Sequence, residues 1–247
     1  LIGDCTVREN VERLMGGEKW QIGFTSPPYN SGDADFTYDY HAPKEGGFYE
    51  GGKDNMSEDD YKKMCFDVLS NYSFFADDLH SLFWNVMYNA NSRDTYGKIV
   101  FSENNPFMVR ETIVWNKIGG FPVAGTNIMS RNSELIFLLS LNEKYLSNQT
   151  LRDCIYWNRW DISNSNSQQK DAKHKACFPV DLPQKAIADF SKDGNIVLDL
   201  FCGSGTTIIA AQNLSRRCYA MEISEKYGAV ILERFYTATG ITPELVR

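Results

Sequence analysis

Ile196-Val197-Leu198-Asp199-Leu200 is an apolar run broken by a single acid, and it passes directly into Phe201-Cys202-Gly203-Ser204-Gly205. Such a run fits a parallel strand buried on both faces, because alternation disappears when neither face meets water. Gly203 and Gly205 let backbone amides approach a ligand closely and permit a positive φ. Thr206 to Leu214 then reads as a helix. Strand, glycine turn and helix in this order predict an α/β layer with a ligand at the carboxyl end of the strand. A further strand is expected from Cys218 to Ile223, and a last helix from Ser224 to about Tyr236. Glu222 closes that strand roughly 20 residues past the first glycine, where an acid accepts from both ribose hydroxyls of a nucleoside. The third glycine of a G-x-G-x-x-G fingerprint is missing, since position 208 is Ile. Asp199 and Glu222, with Asp4, oppose a pyrophosphate and suit a cation, to which Phe201 adds cation–π attraction. This balance disfavours NAD.

A second constraint lies near the amino end. The strand expected from Lys19 to Phe24 runs into Thr25-Ser26-Pro27-Pro28-Tyr29-Asn30. Two consecutive prolines remove backbone donors and fix φ near −65°, so strand pairing stops there and the segment is stiff. It carries a hydroxyl (Ser26), backbone carbonyls and an aromatic ring (Tyr29). That set suits holding a planar nitrogenous ring flat while oxygens accept from its amino group.

The hexapeptide resembles the (Asp/Asn/Ser)-Pro-Pro-(Tyr/Phe) motif of methyltransferases that act on exocyclic amino groups of DNA bases. Asn195 to Thr207 is similar to that family's S-adenosylmethionine loop, and His174 to Pro183 to its His-Pro-Ala-x-Phe-Pro segment, with Lys175 where proline is common. Catalytic segment first and cofactor loop last is the circularly permuted order of the β group, and the likeness runs from Gly3 to about Phe235. It implies a Rossmann-like methyltransferase fold, α/β, with a mostly parallel sheet and an antiparallel edge hairpin. It implies S-adenosylmethionine as cofactor and Ser26, Pro27, Pro28 and Tyr29 as catalytic residues. Asp199, Phe201, Gly203, Ser204, Gly205, Thr206 and Glu222 are then expected around the cofactor, with Phe178 beside its methionine part. Gly3-Asp4 lies near the adenine in the family; Asp4 either accepts from the adenine amino group or caps the helix expected through Leu14. Ser before Pro-Pro points to cytosine N4, with adenine N6 as the alternative. The intact Ser26 to Tyr29 motif argues against a catalytically silent partner subunit.

The rest of the chain is read as one catalytic domain, 1–247, long enough to bury a full core. With 25 Lys and Arg against 32 Asp and Glu, net charge −7, any DNA-facing surface must be a local basic patch. Arg152, Arg159, Lys170, Lys173, His174 and Lys175 form the densest basic region, interleaved with Trp157 and Trp160. Such a mixture suits phosphate contact and base stacking, or else a solvated loop anchored by two tryptophans. Residues 141–175 are therefore expected to hold a small target-recognition region. Residues 31–55, rich in Gly, Asp and Tyr, are expected as a loop bordering the target-base pocket.

Ser57, with Asp60 three residues on, opens a helix whose Tyr61, Met64, Cys65, Val68 and Tyr72 recur at helical spacing. Ser81 to Met87 reads as a strand, and Glu111 to Trp115 with Glu134 to Leu139 as the edge hairpin. No apolar run approaches the about 18 residues of a membrane span, and no signal-peptide pattern is present. Six cysteines without a C-x-x-C pair suggest neither metal site nor disulfide framework and fit reduced thiols in a cytoplasmic protein. DNA is the expected partner, with a second copy or an accessory specificity subunit supplementing so small a recognition region.

Overall fold

The computed structural model describes residues 1–30, 56–87, 94–118, 132–145, 147, 157–164 and 178–245. Within them the order is α1 (Arg8–Met15), β1 (Trp20–Thr25), α2 (Glu58–Phe74), β2 (Ala76–Val86), α3 (Thr95–Val100), β3 (Met108–Ile118), β4 (Ser133–Ser140), β5 (Arg159–Ser163), α4 (Asp181–Phe190), β6 (Ile196–Asp199), α5 (Thr206–Asn213), β7 (Arg217–Ala220) and α6 (Glu225–Thr239). The described strands make one sheet in the order β5-β3-β4-β2-β1-β6-β7. β1 pairs in parallel with β2 and β6, β6 with β7, and β3 with β5; β4 runs antiparallel to both β2 and β3. A single reversed strand thus sits in an otherwise parallel sheet. The expected hairpin is present as β3 and β4, with β5 added outside it.

Helices cover both faces, so the central strands carry apolar side chains on both sides. On one face Val11 and Met15 of α1, Cys65, Val68, Leu69 and Tyr72 of α2 and Ile99 of α3 pack on Leu82, Trp84 and Leu198. On the other, Leu182, Ala186, Ile187 and Phe190 of α4 and Ile209 to Ala211 of α5 pack on Ile22, Phe24, Phe83, Ile136 and Trp160. Ser57 caps α2 as its spacing predicts: its hydroxyl accepts from Asp60 N at 3.1 Å and donates to the Asp60 carboxylate at 2.7 Å.

Gly23 is dictated by packing. A Cβ there would stand 2.6 Å from Leu82 and 3.2 Å from the Tyr72 ring, so its absence lets Tyr72 lie across β1. The Tyr72 hydroxyl then accepts from Leu200 N at 3.0 Å, fastening α2 to the end of β6. α2, which follows β1, and α5, which follows β6, lie on opposite faces. The two crossovers therefore diverge between β1 and β6, and that switch point opens a crevice at the carboxyl ends of the strands, where open α/β sheets bind ligands.

Several elements depart from expectation: α3 was not foreseen, and β7 ends at Ala220, which leaves Glu222 just beyond the strand instead of closing it. β2 begins at Ala76 rather than Ser81. β5 lies inside residues 141–175, so part of the region expected to read DNA is sheet: Trp160 is buried against Phe83, with ring centroids 5.9 Å apart, whereas Trp157 is 72% exposed.

Candidate active site

The carboxyl ends of β1, β2, β3, β6 and β7 share one edge of the sheet, and the reversed β4 brings its amino end to the same edge. Beyond β1, the hexapeptide is held from several sides. Tyr61 of α2 donates to the Pro28 carbonyl at 2.7 Å. Asn30 takes a positive φ of 49° and donates through Nδ2 to Met56 O at 3.0 Å, while its Oδ1 is buried with no hydrogen-bond partner among the described residues. That orphan acceptor is adjacent to Tyr29.

The hydroxyls of Ser26 and Tyr29 lie 2.8 Å apart. Both reach Asn85 Oδ1 near the end of β2, at 3.1 and 3.2 Å, and Tyr29 also reaches Glu134 Oε2 at 3.4 Å. Asn85 is fixed in turn by donating to Leu135 O at 3.2 Å. Glu134 pairs through its other oxygen with Lys117 Nζ, which sits 4.9 Å above the Trp115 ring. Asn85, Lys117 and Glu134 did not figure among the sequence-derived candidates. The one local signal was a polar Asn inside the otherwise apolar stretch from Leu82 to Val86.

The two motifs distant in sequence meet at Asp199. Its carboxylate, 1% exposed, accepts from Thr25 Oγ1 at 2.9 Å and from Phe201 N at 3.1 Å, so one buried acid joins the residue before Ser26 to the start of the glycine loop. Burial pushes the Asp199 carboxyl up to about 6, against the lowering effect of those hydrogen bonds.

The glycine loop is a backbone cradle. Gly203 and Gly205 adopt φ of 54° and 84°, and a Cβ on Gly205 would meet Ile231 of α6 at 3.1 Å. Glu222, just past β7, accepts from Gly203 N at 2.8 Å and Ser224 N at 3.0 Å; burial raises its carboxyl above the ordinary range while these amides oppose the rise. Each carboxylate oxygen keeps further acceptor capacity for a nucleoside's ribose hydroxyls, so Glu222 and the cradle fit such a ligand. Arg234 of α6, unforeseen in the sequence, supports the loop by donating to Ser204 O at 2.6 Å, Ser204 Oγ at 2.7 Å and Thr206 Oγ1 at 3.3 Å. This guanidinium is nearly buried and committed to the loop.

The remaining candidates are placed as follows. Phe201 lies edge-on to Trp84, centroids 6.5 Å apart, and Phe178 edge-on to Phe24 at 5.4 Å, which brings both rings to the ends of the central strands. Asp4 Oδ1 accepts from Thr6 N and Thr6 Oγ1, and the cap position of α1 is Val7, so the Asp4 side chain does not cap that helix. Ile2 bridges to Glu222, which puts Gly3 and Asp4 near the cradle. Arg159 is 64% exposed at the sheet edge and pairs with Asp161 at 2.8 Å. Arg152, Lys170, Lys173, Lys175 and the 31–55 loop lie outside the described residues. Cys5, Cys65 and Cys202 are buried and unbridged, and burial raises each thiol, Cys65 to about 12.

A family model described as DNA methylase, for N6 and N4 methyltransferases, matches residues 21–233. The type II methyltransferase M.SmaI of Serratia marcescens is 32% identical over 139 residues, 53% of this chain and 48% of the relative. M.Cfr9I of Citrobacter freundii is 29% identical over 137 residues, 53% of this chain and 46% of the relative. The chain thus spans about half the length of these curated relatives. Among solved structures, the M1.HpyAVI–SAM complex superposes with a TM-score of 0.69 at 19% identity, covering 95% of this chain and 97% of the other. The cytosine-N4-specific PvuII DNA methyltransferase gives 0.69 at 20% identity, covering 95% and 84%. At such identities the likeness is one of fold.

Proposed function

The chain belongs to the DNA methylase family, and from that premise we propose that it transfers a methyl group from S-adenosylmethionine to an exocyclic amino nitrogen of DNA, cytosine N4 by preference. The observation that carries this reading is the Asp199 bridge from Thr25 to Phe201, which sets the Ser-Pro-Pro-Tyr segment and the glycine loop at one crevice. Glu222 would take the ribose hydroxyls, the backbone of residues 203 to 206 would line the rest of the cofactor, Phe201 and Phe178 would flank it, and Asp4 would lie toward the adenine. When bound, S-adenosylmethionine supplies an electrophilic methyl group.

The amino nitrogen of a base is a poor nucleophile because its lone pair is delocalised into the ring. Ser26 Oγ and the Pro27 carbonyl accept from its two N–H groups and draw it toward tetrahedral geometry, which localises the lone pair. Pro28 keeps this segment stiff, and Tyr61 holds its carbonyl. Tyr29 stacks on the base, which must leave the duplex to reach the crevice. The residues act by positioning, which by itself supplies much of the rate of such a displacement. A direct displacement needs no covalent enzyme intermediate, so the reading asks for no cysteine nucleophile. Arg159 and the basic residues 152, 170, 173 and 175 contact DNA phosphates, within one catalytic unit that works in the cytoplasm as a dimer or with a specificity subunit.

Incubation of the chain with plasmid DNA and methyl-labelled cofactor, followed by digestion to nucleosides and mass spectrometry, tests the reading. N4-methylcytosine is the expected product. N6-methyladenine alone overturns the base preference, and the absence of any labelled nucleoside overturns the function. Serine before Pro-Pro, as in the family members that act on cytosine, supports the preferred base.

A further inference from the structure

Glu134, buried, and Lys117, partly exposed, form an ion pair that the mechanism above does not use. Glu134 is 6% exposed, with Lys117 Nζ on its Oε1 and the Tyr29 hydroxyl 3.4 Å from its Oε2. Such pairs add little stability over apolar side chains of similar volume, because desolvation offsets the Coulombic gain. Their presence beside Ser26 and Tyr29 points to a task in the chemistry. Methylating an amino nitrogen leaves that nitrogen with a proton to lose. The acceptors joined to the two hydroxyls include Asn85 Oδ1 and Glu134 Oε2. An amide oxygen polarises a hydroxyl yet is too weakly basic to keep a proton; a carboxylate keeps it.

Resting on the proposed amino-group methylation, we propose that Glu134 receives the proton shed by the nitrogen, relayed through the hydroxyls of Ser26 and Tyr29. The line runs 2.8 Å from Ser26 Oγ to Tyr29 Oη and 3.4 Å from there to Glu134. With Ser26 donating to Tyr29 and Tyr29 to Glu134, a Ser26 lone pair remains for the substrate N–H. As the nitrogen lone pair bonds to the methyl carbon, the carbon–sulfur bond breaks and its electron pair stays on sulfur. The N–H bond then breaks and its pair returns to nitrogen. The proton passes to Ser26 Oγ, the Ser26 proton to Tyr29 Oη, and the Tyr29 proton to Glu134 Oε2. Both hydroxyls end as they began, and the positive charge of the sulfonium is cancelled against the carboxylate. The ionisable groups in contact with Glu134 include Lys117 from β3 and Tyr29 itself. Glu134 acts through Tyr29, so it is a positioning residue with a proton to hold.

The test compares variants with the wild-type chain on DNA and S-adenosylmethionine; a wild type without transfer speaks against the function and not against the relay. Glu134→Gln keeps the shape and an acceptor for Tyr29 but cannot keep the proton. Its kcat is expected to fall about 100-fold with KM for both substrates changed less than about twofold. The acid limb of the kcat–pH profile should vanish in it and return in Glu134→Asp. Tyr29→Phe keeps the ring and cuts the line, so the Y29F/E134Q double variant should be no slower than the slower single, as for groups that act as a unit. A Gln variant within about threefold of wild type, an acid limb left intact, or losses that multiply in the double variant overturns the relay. Should Glu134→Gln fail to give a cooperative melt, the Tyr29→Phe profile decides: an unchanged acid limb overturns it.

Discussion

The two halves of the crevice are built in opposite ways. The cofactor side is a backbone cradle whose parts lie close in sequence: Gly203, Gly205, Glu222 and Ser224 all fall between β6 and α6, and Glu222 is held by amides of that stretch. The catalytic side is a side-chain network drawn from four strands: Ser26 and Tyr29 beyond β1, Asn85 on β2, Lys117 on β3 and Glu134 on β4. A cradle of amides tolerates change in side chains and fails when the backbone is forced. A network of side chains fails one group at a time, with the backbone intact. Asp199 belongs to both and couples them.

Ser26→Ala should give the largest effect. Removing one positioned polar group from the substrate amine is expected to lower kcat by about 10²–10³, with cofactor affinity by calorimetry unchanged; equal losses in both would erase the distinction between the two sides.

Asp199→Asn probes the joint. Because the Asp199 carboxyl rises from 3.8 to about 6 on folding, its contribution to stability is fully present below the unfolded value and is lost as pH rises through about 6. The Asn side chain keeps an oxygen for Thr25 and Phe201 and carries no charge. Denaturant melts should therefore show the variant gaining on wild type by about 2–2.5 kcal/mol between pH 4 and pH 8. A difference independent of pH would mean that Asp199 is not buried against both segments.

The smallest effect is expected at Gly205→Ala. A φ of 84° and an Ile231 contact of 3.1 Å predict a loss of about 1–2 kcal/mol, seen as a fall of a few degrees in Tm. Cofactor binding should weaken while kcat at saturation holds. An unchanged melt would show that the cradle does not depend on this turn.

What the sequence disclosed follows the same division. β6, the glycine turn, α5 and Glu222 rest on interactions within one continuous segment, so periodicity, glycine placement and spacing reveal them. Ser57 and Ser224 cap α2 and α6 through groups three residues away, and local spacing exposes those too. Asn85, Lys117 and Glu134 converge only because β4 runs against its neighbours and lies between β2 and β3, a fact of sheet order that no window of sequence contains. α3 spans six residues, too few for a helical period to declare itself. β5 alternates over Arg159-Trp160-Asp161-Ile162, but its polar surroundings mask the signal. Arg234 sits on a helix that is otherwise mostly exposed, and its partners Ser204 and Thr206 lie in the glycine loop and at the start of α5 rather than on that helix.

The central claim is that Ser26 and the glycine loop serve one crevice. A crystal structure of the chain with S-adenosylmethionine tests it most directly. The donor's methyl carbon should lie within about 6 Å of Ser26 Oγ, close enough for one amino nitrogen to touch both. A cofactor seated on Glu222 with its methyl carbon turned away from Ser26, or seated elsewhere on the sheet, would contradict it.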